Sequence, residues 1–377
     1  MSTATESNGP IRERGVPTRE HDQLDQLLSD LRFGAGSDAK IGYDAAAAVS
    51  AWRKPPRIQV TGRAHSGRTT VLHALALMSA METGPVDEPG VDEPVLDGDI
   101  VVYVLSAAPT PADRRLLATL PRERTVVVLN KADAIGARWG DAVAAADQYA
   151  RELGVAVLPV VASLAVRTRA GAVSDADLAA LRALATNADA ALTLSPDLFL
   201  APGPGLAERE ELLRKWDLYG VTCALVVLAN EPSILPQALL QILHAASGID
   251  PLHRLLHRRY EQVSALRGGA LLDELARLAA RAVPGDHSSG RDMFETYLYG
   301  DEASWLALCA GLADPGVAHL AAGYPAPAPA DADDALARAA RWRAVVSSDM
   351  PPAARRAALR VHNGYVRLWE RMSSAGL

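Results

Sequence analysis

The sequence predicts an α/β domain with a mostly parallel, doubly wound sheet, followed by an α-helical, bundle-like region. Apolar runs of five to seven residues, rich in β-branched side chains, recur at 100–105, 125–129 and 155–161, as in strands buried in a parallel sheet, and 57–61 is a further strand-like stretch. Beyond a Pro/Gly hinge at 201–205, apolar residues recur at three- and four-residue spacing instead. The composition suits a helix-rich protein, with 49% apolar but only 5% aromatic residues.

The predicted organisation has five parts. Residues 1–18 are mostly polar and predict a disordered tail, and 19–54 predict N-terminal helices. The first of these helices carries Leu24, Leu27, Leu28 and Leu31 at amphipathic spacing. The remaining parts are the α/β domain at 55–200, a helical domain at 206–322 and C-terminal helices at 323–377.

A candidate phosphate loop follows the first strand. Residues 62–70 read GRAHSGRTT, which fits the G-x-x-x-x-G-K-[S/T] pattern except that an arginine replaces the lysine. Glycines let backbone N–H groups curl around an anion, and the helix that follows adds its positive end. The candidate ligands of the phosphates are Gly62, Ser66, Gly67, Arg68, Thr69 and Thr70. The alternative is a strand–helix turn that binds nothing.

A candidate base-recognition motif follows the strand at 125–129. Asn130, Lys131 and Asp133 form N-K-x-D in a chain that has only four lysines against thirty-four arginines. An aspartate here accepts two hydrogen bonds from the N1–H and the exocyclic amine of guanine, and adenine cannot supply that pair of donors. The alternative is a solvated turn after a buried strand.

Two weaker patterns complete the set. Asp87 and Gly90 fit D-x-x-G, which lies between the phosphate loop and the strand at 100–105. Ser163 and Leu164 follow the strand at 155–161, where their backbone would meet the guanine O6. Position along the chain, rather than the residues themselves, supports both assignments.

Taken together, the four motifs resemble the P-loop GTPase domain of bacterial dynamin-like proteins, over residues 55–200. The stretch from Pro89 to Leu105 is similar to the D-T-P-G segment and strand of that family, with Glu88 where the family has threonine. The resemblance implies GTP or GDP at the carboxyl edge of the strands, with Mg²⁺ held by Thr69 and Asp87. It also implies that the N-terminal helices pair with the C-terminal ones; a separate N-terminal decoration is the alternative.

The chain departs from that family between the first two motifs. Only 19 residues separate Arg68 from Asp87, and the intervening helix needs about twelve of them. Little room is left for switch I, and Thr83 is the remaining candidate for its magnesium ligand. Guanidinium is also bulkier than the ammonium it replaces at Arg68. We therefore expect nucleotide binding with weak or absent hydrolysis, and no catalytic residue is assigned.

Three functional hypotheses follow. The first is a guanine-nucleotide-binding protein of the dynamin-like type that hydrolyses GTP poorly and acts with a partner GTPase or as a homo-oligomer. An active, membrane-associated GTPase is the alternative, and a nucleotide-free helical scaffold is the second alternative. The net charge of −7 argues against nucleic acid as a partner.

We expect the protein to be cytoplasmic. Peripheral contact with the inner face of a membrane is an open alternative. The start of the chain has no signal-peptide pattern, and no apolar run is long enough to span a bilayer. Cys223 and Cys309 fit core positions in a reducing compartment. Basic clusters at 253–259 and on the last helix predict a solvated face, with lipid contact as the alternative.

The helical region is predicted element by element. The expected helices are 206–218, 233–247, 251–282, 291–299, 302–313, 331–347 and 351–373, with a further apolar stretch at 221–228. Gly268 and Gly269 are a possible kink in the long helix, and residues 325–329, PAPAP, predict a linker.

Overall fold

A computed structural model of the chain describes residues 22–33, 39–87, 94–187, 190–282 and 290–374. The chain forms two compact units: an α/β unit, Pro56–Glu261, and a helical unit that joins Met1–Pro55 to Gln262–Leu377. The compact units therefore divide at 261/262, whereas the sequence-based division lies at 200–206. The predicted tail at 1–18 lies outside the described residues.

Five parallel strands form one sheet in the α/β unit. They are β1 Ile58–Gly62, β2 Ala80–Glu82, β3 Ile100–Leu105, β4 Thr125–Asn130 and β5 Val157–Val160, in the order β2-β1-β3-β4-β5. Every neighbouring pair is parallel, which confirms the predicted α/β class with a parallel sheet. β1, β3 and β4 are buried along their whole length, which explains their unbroken apolar sequences.

Helices supply most of the remaining structure. They are α1 Asp22–Phe33, α2 Ala39–Arg53, α3 Arg68–Leu75, α4 Pro111–Thr119, α5 Trp139–Leu153, α6 Ala162–Ala170, α7 Asp175–Asn187, α8 Pro196–Phe199, α9 Leu206–Asn230, α10 Pro236–Ala246, α11 Ile249–Arg281, α12 Gly290–Leu298, α13 Asp301–Ala313, α14 Ala332–Val346 and α15 Pro352–Ser374. Short 3₁₀ turns lie at Arg122–Arg124, Ala132–Ala134, Ala190–Thr193 and Ala318–Ala321. Among the described residues, no helix has both the length and the apolar character needed to cross a bilayer.

Strand order places a crevice at the carboxyl end of β1. The chain goes from β1 to β2 on one side and then crosses to β3 on the other, so β1 and β3 lie at the reversal point of the sheet. Ligands of open α/β sheets bind outside the carboxyl ends of strands at such a point. The sequence does not predict β2, which has three residues and follows α3 after a turn of four residues, 76–79. The region that would hold switch I is therefore a tight turn.

The N-terminal helices share a core with α11 and α12 in the helical unit. Apolar residues of α1 and α2 pack with those of α11 and α12 in a cluster that includes Leu24, Leu27, Val49, Leu275 and Phe294. Polar contacts reinforce the packing: the Leu24 N–H donates to Glu302 Oε2 at 3.1 Å, and Arg267 Nη2 donates to the Ala51 carbonyl at 2.6 Å. The N-terminal helices are therefore not a separate decoration, but their core partners belong to the region predicted as the helical domain at 206–322 and not to the C-terminal helices at 323–377.

The two glycines of α11 lie within a continuous helix. A Cβ at Gly269 would lie 2.7 Å from the Cβ of Ala310, and one at Gly268 would lie 3.4 Å from Leu306 Cδ2. Both positions allow α13 to approach α11 closely. Close helix packing, rather than bending, therefore accounts for this glycine pair.

The PAPAP segment is fastened to the helices that follow it. Arg338 on α14 donates to the Ala326 carbonyl at 2.9 Å, and the Tyr365 hydroxyl on α15 donates to the Pro327 carbonyl at 3.0 Å. The segment is thus part of the helical unit's structure and not the free linker that its composition predicts.

Arginines of α15 are mostly engaged with polar or acidic neighbours. Arg360 pairs with Asp273, and Arg371 lies 3.5 Å from Asp301. Arg367 Nη1 donates to the Ser304 hydroxyl. This charge balance agrees with the solvated-face interpretation of the C-terminal helix.

Candidate nucleotide-binding site

The loop at residues 62–70 connects β1 to α3 through backbone conformations that favour glycine. Gly62 has φ 146° and Gly67 has φ 89°, while His65 takes φ 60° without being glycine. A Cβ at Gly67 would lie 2.3 Å from Asn130 Nδ2, and one at Gly62 would lie 2.5 Å from the Val104 carbonyl oxygen. Both glycines are therefore required by the backbone and by close neighbours. This supports the predicted importance of the loop's two glycines.

Helix α3 begins at Arg68 with free donor capacity at its amino end. Gly67, its N-cap, provides no side-chain cap, and the first helical hydrogen bond runs from the Val71 N–H to the Gly67 carbonyl at 2.9 Å. The N–H groups of Arg68, Thr69 and Thr70 precede that bond. Three consecutive donors at the positive end of a helix suit a phosphate oxygen.

Asn130 and Lys131 bring the two strongest motifs together. Asn130 Nδ2 donates to the Ser66 carbonyl at 3.0 Å, and Asn130 Oδ1 accepts the Ala162 N–H at 3.2 Å. Lys131 Nζ donates to the His65 carbonyl at 2.9 Å. Asn130 is only 3% exposed, so its amide braces the loop from within the sheet edge. Motifs 64 residues apart in sequence thus form one structure.

Asp133 lies one residue beyond this brace, in the 3₁₀ turn Ala132–Ala134, and is exposed. Partial loss of water around its carboxyl raises the pKa of Asp133, and the charge of Asp217 acts in the same direction. The opposite charge of Lys131 acts against this rise in the pKa. The carboxyl is therefore open to a ligand at the end of a defined turn.

Ser163 and Leu164 occupy the first turn of α6 rather than a loop. Ser163 is half-buried, whereas Leu164 is fully buried in a cluster with Ala132, Ala142 and Val161. The Leu164 side chain therefore serves the core, and only backbone groups of this turn could face a base. The loop that the sequence predicts after β5 is instead the start of a helix, with one residue between the strand and the helix.

Arg68 turns away from the loop and towards β2. Its Nη1 donates to the Thr83 carbonyl at 2.5 Å, and its Nη2 lies 3.6 Å from Glu82 Oε1. The Thr83 hydroxyl in turn donates to the Thr61 hydroxyl at 2.9 Å. The guanidinium thus fastens the short edge strand and does not fold back into its own loop.

Asp87 contacts the start of the loop, and Gly90 lies outside the described residues. Asp87 Oδ1 accepts the Ala64 N–H at 2.8 Å, and Oδ2 accepts Arg63 Nε at 3.0 Å. The Ala64 hydrogen bond and the Arg63 guanidinium lower the pKa of Asp87, so this carboxylate is ionised at neutral pH. Arg63, which the sequence does not single out, also lies 3.9 Å from the buried Asp113.

The predicted magnesium ligands form no ready-made cation site. Within the described residues, no group of three or more His, Cys, Asp or Glu side chains is placed to hold a metal ion. Thr69 is exposed on the first turn of α3, while both Asp87 oxygens accept hydrogen bonds from the loop. Mg²⁺ commonly binds through few protein ligands plus phosphates and water. Thr69 fits that role, and Asp87 in this conformation does not.

Asp217, whose charge acts on Asp133, is another residue of the site that the sequence motifs do not identify. It has φ 61° and ψ 168° inside α9, a conformation otherwise found for glycine, and it kinks the helix. Its Oδ1 accepts the N–H of Leu218 at 3.0 Å, and its Oδ2 lies 3.7 Å from Arg167 Nη2. The helix predicted at 206–218 and the apolar stretch at 221–228 both belong to α9, and the kink at Asp217 lies inside the predicted helix.

Replacing Asp217 with glycine is expected to stabilise the α/β unit by about 1 kcal/mol, because glycine removes the backbone strain and replaces a helix cap at little cost. Asp217→Ala is expected to destabilise by about 1 kcal/mol, because it removes the hydrogen bond to the Leu218 N–H and keeps the strain. Hydrogen exchange along α9 measures both changes. A loss of stability in Asp217→Gly would show that the ion pair with Arg167 outweighs the strain.

The chain matches no protein-family model, and no curated protein or solved structure matches it significantly. Its function therefore rests on the residues and contacts described above.

Proposed function

We propose that this protein binds a guanine nucleotide at the carboxyl edge of its sheet and hydrolyses it slowly or not at all. The observation that carries this proposal is the contact of Asn130 and Lys131 with the loop at 62–70, at 3.0 and 2.9 Å. It joins a candidate base reader to a candidate phosphate cradle. Neither motif needs such a contact if it is only a surface turn.

The base would be read at Asp133. An exposed carboxyl that follows a rigid turn can accept two hydrogen bonds from guanine, and adenine offers no matching donors. The brace made by Asn130 fixes the position of the turn relative to the loop. Selectivity would thus come from geometry that exists before the ligand arrives.

The phosphates would bind at the amino end of α3. Backbone N–H groups of Arg68, Thr69 and Thr70 point along the helix axis there, and the helix dipole favours a negative charge. The positive φ of Gly67 and its missing Cβ make room for the Asn130 amide, which braces the loop beside these N–H groups. These features serve binding and make no demand on the Arg68 side chain.

Slow turnover follows from what surrounds the phosphates. Phosphoryl transfer depends on positive charge and a positioned nucleophile around the terminal phosphate. The Arg68 guanidinium is held by Glu82 and Thr83, and a four-residue turn stands where switch I would lie. The proposal therefore includes a partner GTPase, or a second copy of this chain, through which nucleotide binding would act.

The decisive test is the base selectivity of Asp133→Asn. The wild type is expected to bind fluorescent GDP in preference to ADP, and the variant is expected to lose about hundredfold of that preference, because an amide presents a donor to the guanine donors. Asp147→Asn, an exposed aspartate on α5, is the matched control and should bind as the wild type does. Equal binding of both bases by the wild type would contradict the proposal.

A nucleotide-free scaffold is the second candidate. The contact of the Asp87 carboxylate with the Ala64 N–H favours it, because an anion of the protein itself occupies a donor of the loop. In that case neither GDP nor GTP binds to the wild type, and nucleotide affinity is absent in every variant of the loop.

A further inference from the structure

The loop at 62–70 has two separate sets of donors. The N–H groups at the start of α3 precede the first helical hydrogen bond, whereas the N–H of Ala64, near the start of the loop, already donates to Asp87 Oδ1 at 2.8 Å. An amide N–H that donates to a carboxylate at this distance does not also donate to a phosphate oxygen. One end of the loop is thus open to a ligand and the other is occupied.

The occupying carboxylate is held by Arg63 as well. Arg63 Nε donates to Asp87 Oδ2 at 3.0 Å, while its Nη1 lies 3.9 Å from Asp113 Oδ2. Asp113 cannot move readily, because it is 1% exposed and accepts hydrogen bonds from Thr110 and Tyr103. Asp87 is the more exposed partner, on a segment that leaves the sheet after β2. Of the two acids, Asp87 is therefore the exchangeable one.

We propose that Asp87 takes the place of a terminal phosphate, so that the site selects guanosine diphosphate over the triphosphate. This inference rests on the proposed function. In this proposal two phosphates use the open donors at the amino end of α3, and a third would use the donors of Ala64 and Arg63, which already bind Asp87. A triphosphate must therefore displace Asp87 or bear its repulsion, and both cost free energy.

The same residue has the opposite role if it is a magnesium ligand, as the family resemblance implies. A ligand of Mg²⁺ strengthens triphosphate binding, so its loss weakens that binding when magnesium is present. A surrogate for the terminal phosphate weakens triphosphate binding, so its loss strengthens it. The sign of one substitution therefore separates the two roles.

The experiment titrates the full-length protein with fluorescent GDP and with a fluorescent non-hydrolysable GTP analogue, each with Mg²⁺ and with a chelator. Asp87→Asn is expected to raise affinity for the GTP analogue about tenfold, the value of one charge-assisted hydrogen bond, and to change GDP affinity less than about twofold. Asp87→Glu keeps the charge and should keep the preference for GDP. Asp147→Asn is the control, and circular dichroism checks that each variant is folded.

Two outcomes overturn the inference alone. In one, GDP binds with guanine selectivity but Asp87→Asn leaves GTP-analogue affinity unchanged. In the other, Asp87→Asn lowers that affinity only with Mg²⁺, which assigns the residue to the metal. Absence of guanine-nucleotide binding in the wild type and all variants overturns the proposed function itself.

Discussion

Replacing Arg338 with alanine is expected to destabilise the helical unit by about 2–3 kcal/mol, because the change removes a buried side chain together with its hydrogen bonds and its pairing with the partly exposed Asp334. The Arg338 side chain is only 7% exposed and lies 2.8 Å from Asp334 Oδ2. Its Nη1 also donates to the Ala326 carbonyl and to the Tyr365 hydroxyl, at 2.9 and 3.3 Å. Arg338 thus connects α14, α15 and the PAPAP segment.

Aromatic contacts add to the expected loss. The Arg338 guanidinium carbon lies 4.4 Å from the ring centre of Tyr324 and 5.5 Å from that of Tyr365. Such desolvated cation–π contacts stabilise by about 1 kcal/mol or more each. Lysine at position 338 is not expected to rescue the variant, because it lacks the planar set of donors that reaches both Asp334 and the PAPAP segment.

The measurement is native-state hydrogen exchange of α14 and α15, since a chain of two units does not unfold in one transition. Arg343→Ala is the matched control: it lies on the same helix, is exposed, and should change the free energy of opening by less than about 0.5 kcal/mol. Equal protection in the two variants would show that packing alone holds residues 325–329.

Replacing Asn130 with alanine is the second large change, with an expected loss of about 2–4 kcal/mol in the α/β unit. The variant leaves the Ser66 carbonyl and the Ala162 N–H without their partner in a buried place. Each unsatisfied buried group costs about 1–3 kcal/mol. We also expect guanine-nucleotide affinity to fall by about tenfold or more, because the loop and the base-reading turn lose their connection.

Urea unfolding and hydrogen exchange of β4 and α6 measure the stability change. Asn230→Ala is the matched control, since this exposed asparagine bonds only within its own helix, to the Val226 carbonyl at 2.8 Å. A variant of normal stability that has lost nucleotide affinity would show that Asn130 contacts the ligand instead of bracing the loop.

The central strands could be predicted because strands buried on both faces consist of apolar, β-branched residues. The apolar run at 100–105 coincides with β3, and the run at 125–129 falls one residue short of the end of β4. β2 could not be predicted. This edge strand has only three residues, with the sequence AME, which show no hydrophobic periodicity, and it depends on pairing with β1. Short edge strands form through tertiary contact, which local sequence does not encode.

The sequence predicts where the segments of the site lie along the chain, but it does not predict which side chains contact which partners. Spacing places the loop at 62–70 and the turn at Asp133, because each follows a predicted strand. The contact of Asp87 with Ala64 depends on the backbone of two separate loops, and the position of Arg68 depends on the unpredicted β2. When a side chain can reach several hydrogen-bond partners, the tertiary fold decides which of them it contacts.

The make-up of the helical unit has a consequence for how the protein emerges from the ribosome. The α/β unit is one uninterrupted segment, so all of its parts are available once residue 261 has been made. Helices α1 and α2 are synthesised before the α/β unit, yet their core partners from other helices lie beyond residue 270. The apolar faces of α1 and α2 therefore remain uncovered while the α/β unit is synthesised. Between their synthesis and their burial, these apolar faces make the nascent chain prone to aggregation.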